Sequence, residues 1–540
     1  MVGEIELINE AKTMRTKKTL FQITLPCILV AWLVLATLAH AADGTPAWTN
    51  FYNGPGNFDD HANSLTVDGS GNLYVTGQSY GSGSSYDYAT IKYSSAGGAL
   101  WTNRFNGAGN SDEYATALAV DNSGNVFVTG KSYGIEGSVD YATIKYSSSG
   151  IALWTNLFKG IGNTYDYSKS IAVDNGGNAY VTGYSGNMNT YDYVTIKYSS
   201  LGVPLWTNRY NGAGNNEDIA QSLVLDTNGN VYVTGTSYIS GGDYDYATIK
   251  YSSAGLALWT NRFNRYNNDQ ARSLAVDSSG NVFVTGISYG IAGFNVDWAT
   301  IKYSTTGTAT WTNYFNGTGN DDDYANDLTV DRSGNVYVTG QTTATGNNVD
   351  CATIKYSNAG IPLWTNFYGH AASLGNARVI AVDVSGNVYV SASPGSSGTG
   401  YNYATIKYSS AGVALWTNLF NGAGNSDDLF PSLAVDAKGN VFVTGSSIGS
   451  AGIYQYATIK YSGPPPPVIT LSGQLLKGGK VQLSFVGVAG ANYALDRSFS
   501  LAPPNWLPQA TNPANSFGML VFTNMPDSNL NNFWRIRSVP

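Results

Sequence analysis

Charge is scarce in this 540-residue chain: Asp, Glu, Lys and Arg make up only 12% of it. A surface so poor in ions draws its polarity from hydroxyls and amides, and Tyr, Ser, Thr and Asn are abundant. Histidine is scarcer still, at three. Beyond the N-terminus only His61 and His370 remain, neither in a zinc-like cluster. Of two cysteines, Cys27 lies in an N-terminal apolar run. Once that run is removed Cys351 stands alone, which excludes an intrachain disulfide. It fills a slot taken elsewhere by Tyr, Trp or Val, as a small buried apolar group would. Long patterns of Glu, Lys and Leu at helical spacing are missing outside the N-terminus, so the composition points to an all-β chain of short strands and tight turns.

The N-terminus reads as an export signal over residues 1–41. "MRTKK" (14–18) supplies positive charge, 19–38 is apolar, and Ala39-His40-Ala41 fits a small-residue cleavage site. The rival reading is an uncleaved anchor, since the apolar run is nearly long enough to span a bilayer. The A-x-A site before a polar stretch favours cleavage and a secreted or cell-surface protein. Net charge is −8, and −9 once 1–41 are removed. So acidic a chain is a poor partner for nucleic acid or an anionic membrane.

What the chain has is repetition. "WTN" begins at Trp48, Trp101, Trp154, Trp206, Trp259, Trp311, Trp364 and Trp416, and "TIKYS" also occurs eight times. Each unit holds four strand-like segments. In the first full set these are A, "SLTVD" (64–68); B, "NLYVTG" (72–77); C, "YATIKY" (88–93); and D, "ALWTNRF" (99–105). The D-x-x-G-N turn joins A to B, with Gly free to take positive φ. Residues 46–52 are a D segment with no A, B or C before it, and 432–461 supply A, B and C with no D after them. Together they complete one set. The expectation is an eight-bladed β-propeller of four-stranded blades over 42–462, closed by the N-terminal strand.

The string "VDxSGNVYVTGxSY…DYATIKYSSAGxALWTNRFNG" is similar to the bacterial beta-propeller repeat known as SBBP, over about 46–462. The family's name refers to seven blades, and this chain departs with eight complete sets. The resemblance implies an extracellular propeller, usually without assigned catalysis, and brings no site residues. Residues 463–467, "GPPPP", read as a stiff linker. In 468–540, "VQLSFVG", "NYALDRS", "MLVFTN" and "FWRIRS" read as strands of a small β-sandwich. The pattern from Gly490 to Trp506, with "NFWRIR", resembles Ig-like or fibronectin-like modules of bacterial exoproteins.

Three rows of charge recur. The TIKYS lysines at 92, 145, 197, 250, 302, 355, 407 and 460 are expected to meet the A–B turn aspartates, such as Lys92 with Asp68. The alternative is a solvated lysine whose methylenes cover a ring. A second row comprises Asp60, Glu113, Asp166, Asp218, Asp269, Asp323 and Asp428, broken only by Gly375. A third comprises Asp87, Asp140, Asp192, Asp245, Asp297 and Asp350, then Asn402 and Gln455. Both acidic rows fall on D–A and B–C loops at one end of the repeat. They either attract cations and hydroxyl-rich glycans or cap turns, and their regularity favours capping. "GNDDDYAND" (319–327) gathers Asp321, Asp322, Asp323 and Asp327, a calcium candidate without the EF-hand pattern. No cofactor is otherwise expected.

No pair of carboxylates is privileged for acid–base work, because each is repeated. A unique site belongs where the repeat breaks. The largest break is the seventh unit, "FYGHAASLGNARVIAVD" (367–383) and 391–400, where His370 and Arg378 enter. The expected role is a non-catalytic binding scaffold for an extracellular glycan or protein, using the loop face. The alternative is a secreted enzyme acting on polysaccharide through the seventh unit.

Overall fold

In the computed structural model each D-x-x-G-N run closes on itself. Asp68 Oδ1 accepts the backbone N–H of Ser70 and Asn72, both at 2.9 Å, and Gly71 takes φ 81°. The Asp side chain thus replaces backbone partners that the turn cannot offer, and only Gly tolerates that φ without strain. The same geometry recurs at every A–B link, which is why the motif repeats.

The structure describes residues 5–9, 42–83, 85–134, 137–160, 165–187, 190–290, 295–345, 348–369, 375–396, 400–464, 470–475, 480–486, 492–498, 505, 507–513, 515, 519–524 and 532–539. No helix occurs among them. The expected export signal lies outside the described residues except at 5–9, and so does His370. The chain divides into two compact units, 42–464 and 1–41 with 465–540.

In the larger unit, strands pair in chain order. The first set is Asp60–Val67, Leu73–Tyr80, Tyr86–Tyr93 and Ala99–Phe105, all antiparallel. Six four-stranded sheets follow this plan, and the second and third sets join into one eight-stranded path through a parallel pairing of Tyr165 with Val139. The last set takes its fourth strand from the start of the unit: Pro46–Tyr52 lies antiparallel to Tyr454–Tyr461, with Trp48 opposite Lys460. Each A strand also touches the A strand of the next set, and that of the last set touches the first.

The core lies between sets. Tyr74 and Tyr88 of the first set pack with Ala115, Leu118, Val126 and Val128 of the second. Phe442 and Tyr456 of the last set pack in the same way on Ala62, Leu65 and Val75 of the first. Cys351 is a buried free thiol in the layer between the sixth and seventh sets, as its sequence context predicts.

The outer rim explains the WTN and TIKYS motifs and corrects one expectation. Lys92 does not meet Asp68. Its Nζ donates to the Ser148 carbonyl at 2.9 Å, in the C–D turn of the next set, and lies over the Tyr74 ring. Asp68 is already engaged by its own turn and by the Tyr74 hydroxyl at 3.0 Å, so no acceptor remains there for the lysine. Trp101 Nε1–H donates to the same Ser148 carbonyl and Asn103 Nδ2 to Gly150 O. Gly150 lies against the Trp101 ring so closely that a Cβ would sit 2.8 Å from it. Trp, Asn, Lys and the turn Gly therefore form one latch between neighbouring sets.

Where this unit begins and ends, the latch is rebuilt from two separate segments. Ser462 N–H donates to Thr45 O and Gly44 N–H to Ser462 O, both at 2.8 Å, as Ser94 and Gly97 do within an unbroken turn. Asn418 donates to Gly44 O at 2.7 Å. Lys407, nearly fully buried, meets the Asp43 carboxylate at 2.6 Å instead of a carbonyl.

Among the described residues the smaller unit contains two sheets. One orders Ile5–Asn9, Asn532–Val539, Asn492–Ser498 and Leu507–Pro513; the other orders Thr470–Leu475, Val481–Val486 and Met519–Asn524.

Candidate functional site

The second acidic row begins the A strands, and its carboxylates point inward. Asp60, Glu113, Asp166, Asp218, Asp269, Asp323 and Asp428 are all completely buried. Asp60 accepts Gly54 N–H at 2.6 Å and Tyr80 N–H at 2.9 Å. Asp166 takes Gly160 N–H, Asp218 takes Gly212 N–H, Asp323 takes Gly317 N–H and Asp428 takes Gly422 N–H. These acids cap the D–A loops. Burial raises Glu113 to about 7 and Asp269 and Asp428 to about 6, although loop hydrogen bonds oppose it.

Four aspartates of the third row pair with arginine within their own or a neighbouring set, while Asp140 and Asp350 have no ion pair among the described residues. Asp87 binds Arg104 at 2.7 Å, Asp245 binds Arg262 at 3.0 Å, Asp297 binds Arg265 at 2.6 Å, and Asp192 binds Arg209. The four aspartates of 321–327 diverge. Asp321 Oδ1 accepts Asp322 N–H, and Asp322 accepts Val296 N–H and the Tyr324 hydroxyl. Asp323 caps its loop, while Asp327 accepts Ser273 Oγ–H at 2.7 Å and Ile380 N–H at 3.0 Å. Among the described residues no group of three or more metal-type side chains comes together.

What the A strands present to solvent is a different set of residues. The A–B pairing slips at one position in every set, leaving a β-bulge at Asn63, Thr116, Lys169, Gln221, Arg272, Asn326 and Arg378 in the first seven. In the eighth the bulge covers two residues, Phe430 and Pro431. A bulged residue is released from the ladder and re-aimed. Because the A strands run side by side from set to set, the bulges form a circuit along their shared inner edge, near the D–A and B–C loops.

In three sets the bulge residue links neighbours. Asn63 Nδ2 donates to Ala115 O at 2.8 Å, Thr116 Oγ1–H to Ser168 O at 3.0 Å, and Asn326 Nδ2 to Ala377 O at 2.7 Å. Lys169 and Arg378 occupy the equivalent place without such a bond. Both are exposed, and neither has a carboxylate or hydrogen-bond partner among the described residues. Lys169 lies over Tyr184 and Arg378 over Phe430, 4.7 Å from the ring centre. Arg272 donates to Asn326 Oδ1 at 2.6 Å, and Lys131 lies 4.2 Å over Tyr114. Desolvation lowers Lys169, Arg272 and Arg378, with Lys131 adding to the effect on Lys169 and Arg272 to that on Arg378. Arg378 and Arg272 each line a cavity beside the A strands.

The seventh and eighth sets shape the cavity at Arg378. Glycine fills the B position facing the bulge in most sets; a Cβ on Gly77 would lie 2.0 Å from the His61 carbonyl. In the seventh set Ala392 stands there, and the B strand ends at it, five residues long. In the eighth, Phe430 replaces the small buried residue that precedes the bulge. It is turned out with φ 59° and 47% exposed. A non-glycine aromatic at positive φ marks strain held by its surroundings. Between these irregularities lies a cavity of about 250 Å³ lined by Gln341, Asn376, Arg378, Tyr401 and Phe430. Of the two seventh-unit candidates, Arg378 lines this cavity, and His370 lies outside the described residues.

Sequence reasoning missed the bulge circuit because a bulge has no residue signature of its own. One signal was present: the third residue after the acidic row varies as Asn, Thr, Lys, Gln, Arg, Asn, Arg and Pro between nearly constant neighbours.

Five stretches, 100–135, 154–189, 206–242, 258–295 and 310–346, match the repeat family SBBP, described as "Beta-propeller repeat". No curated protein matches the chain. Among solved structures, the WD40 domain of SCAP from fission yeast is similar at 9% identity and TM-score 0.44, covering 77% of this chain and 94% of that one. Polysaccharide lyase Uly1 is similar at 10% identity and TM-score 0.43, covering 74% and 90%. Drosophila Plexin A in complex with Semaphorin 1b is similar at 10% identity and TM-score 0.36, covering 66% and 86%.

Proposed function

We propose that this chain, which carries SBBP beta-propeller repeats, is an exported eight-bladed propeller joined to a small β-sandwich. In this reading it serves as a non-catalytic scaffold that binds an extracellular glycan or protein. Export rests on the N-terminal basic–apolar–small pattern, and the blade count on eight A-B-C-D sets with the N-terminal strand in the last. The binding surface is the inner edge of the A strands, at the end bearing the D–A and B–C loops.

One observation carries the functional reading. The repeat is nearly constant at its latches, turns and cores, yet it diverges at the bulge positions, where side chains reach solvent. Structural demands are the same in all sets and select the same residue each time; a ligand contacts each set differently. The acidic row, by contrast, is spent on loop capping.

A glycan and protein array probed with the exported chain tests this. Retention of a ligand without turnover, weakened by Arg378→Ala, is expected. Product release that depends on Arg378 would instead place a polysaccharide-acting enzyme at the seventh set. Binding unchanged by substitutions throughout the bulge circuit would overturn the location.

A further inference from the structure

We infer that the bulge circuit binds an acidic polysaccharide, one whose sugar rings carry carboxylate or sulfate. The inference rests on the binding role and location just proposed and adds the ligand's chemistry.

The first support is charge. Lys169, Arg272 and Arg378 stand at bulges of the A strands, and Lys131 of a neighbouring B strand lies beside Lys169, in a chain whose net charge is −8. Most other described arginines near the loops pair with aspartate, as Arg104, Arg209, Arg262 and Arg265 do. These four cations have no such pairing. Arg272 and Arg378 line cavities; a cation in such a place without a counter-ion is stabilised by an arriving anion, and Arg offers a planar fork suited to carboxylate or sulfate.

The second support is the company the cations keep. Each lies against an aromatic face: Lys131 on Tyr114, Lys169 on Tyr184, Arg272 on Tyr324 and Arg378 on Phe430. Flat rings beside fixed cations suit a ligand that alternates an apolar ring face with a negative substituent, as an acidic sugar does. Between them stand amides, Gln221, Asn376 and Gln341, able to bond hydroxyls in either sense.

The third support excludes an acidic peptide as the better occupant. A peptide would be expected to add as a strand along the free edge of the A strands. Every A strand is bulged, which interrupts the row of backbone donors and acceptors that strand addition requires. Spaced side chains are left to make the recognition.

The test is calorimetric titration of the full exported chain with a polygalacturonate hexamer, a heparin hexamer and a neutral cellulose hexamer. The acidic hexamers are expected to bind and the neutral one to bind at least about tenfold more weakly. Affinity should fall with added salt. Lys169→Ala and Arg378→Ala should each weaken the acidic hexamers about tenfold, with Arg378→Lys recovering only part because the planar fork is lost. Melting curves of each variant identify any loss that comes from unfolding. Equal binding of the neutral hexamer, or variants that fold and bind as before, overturns the inference. If no hexamer binds while the array retains a protein at the same edge, the ligand class is wrong and the scaffold reading survives. Binding to the array abolished by changes elsewhere sinks both.

Discussion

Glu113 shows what one residue reveals about a repeated position. Its counterparts are all aspartates or Gly375, and its longer side chain lies fully buried beside Ser132. Burial is the largest influence on it and lifts it from 4.5 to about 7, with Asp87 and Asp112 adding repulsion and the Gly107 amide opposing. The folded chain therefore binds this proton more tightly than the unfolded one. Its stabilising contribution is complete below 4.5 and disappears as pH rises through 7. Asp269 and Asp428 behave alike, shifted from 3.8 to about 6. The melting temperature should be higher near pH 5 than at pH 8. Glu113→Gln keeps the shape and stays neutral, so it should flatten the upper part of that slope. A parent and variant with identical profiles from pH 5 to 8 would remove this account.

At the scale of the element, much of the latch was legible and its logic was not. The spacing of WTN, TIKYS and SSxG along the chain is plain, but their meeting place is across sets, not within one. Lys92 and Asp68 both end strands running the same way, which suggests a pair; the Tyr74 hydroxyl competes for that carboxylate, and only side-chain geometry shows it. Capping by the second acidic row follows from its regularity, whereas the bulges, though they recur once per repeat, carry no residue type in common and show only in the pairing register. The latch makes its own prediction. Gly97 takes φ 92° with its Cα against the Trp48 indole, where a Cβ would lie 2.8 Å from the ring. Gly97→Ala should cost about 2 kcal/mol, from left-handed backbone plus contact with the indole. Gly69 has open space around it, so Gly69→Ala serves as the control and should leave the denaturation midpoint nearly unchanged.

For the whole of residues 42–464 the decisive feature is that one C–D turn is made of the two ends of this unit. Asp43, Gly44 and Thr45 return to Ser462 with the hydrogen bonds of a continuous turn, and Lys407 finds a carboxylate where its counterparts find a carbonyl. The substitution is incomplete: Trp416 Nε1–H has no acceptor among the described residues. Asp43→Ala would leave the Lys407 ammonium buried without a partner and should destabilise the unit by about 3 kcal/mol. A circular permutant gives the stricter test. Tyr461 is joined to Pro46 through Ser-Ser-Ala-Gly-Gly, which restores the turn and gives Trp416 its carbonyl, and new ends are opened in the C–D turn between Ser148 and Gly150. The eighth set then closes as a local hairpin, while the second set inherits the long-range closure and its loop entropy. If every set is equivalent, the permutant folds and melts within a few degrees of the parent, and Lys407→Met, severe in the parent, costs no more there than Lys145→Met, whose Ser200 acceptor lies in an unbroken turn. A permutant that fails to fold, or that melts far below a parent opened nowhere else, would mean that the sets are not interchangeable and that the native break is placed where only these two ends can close it.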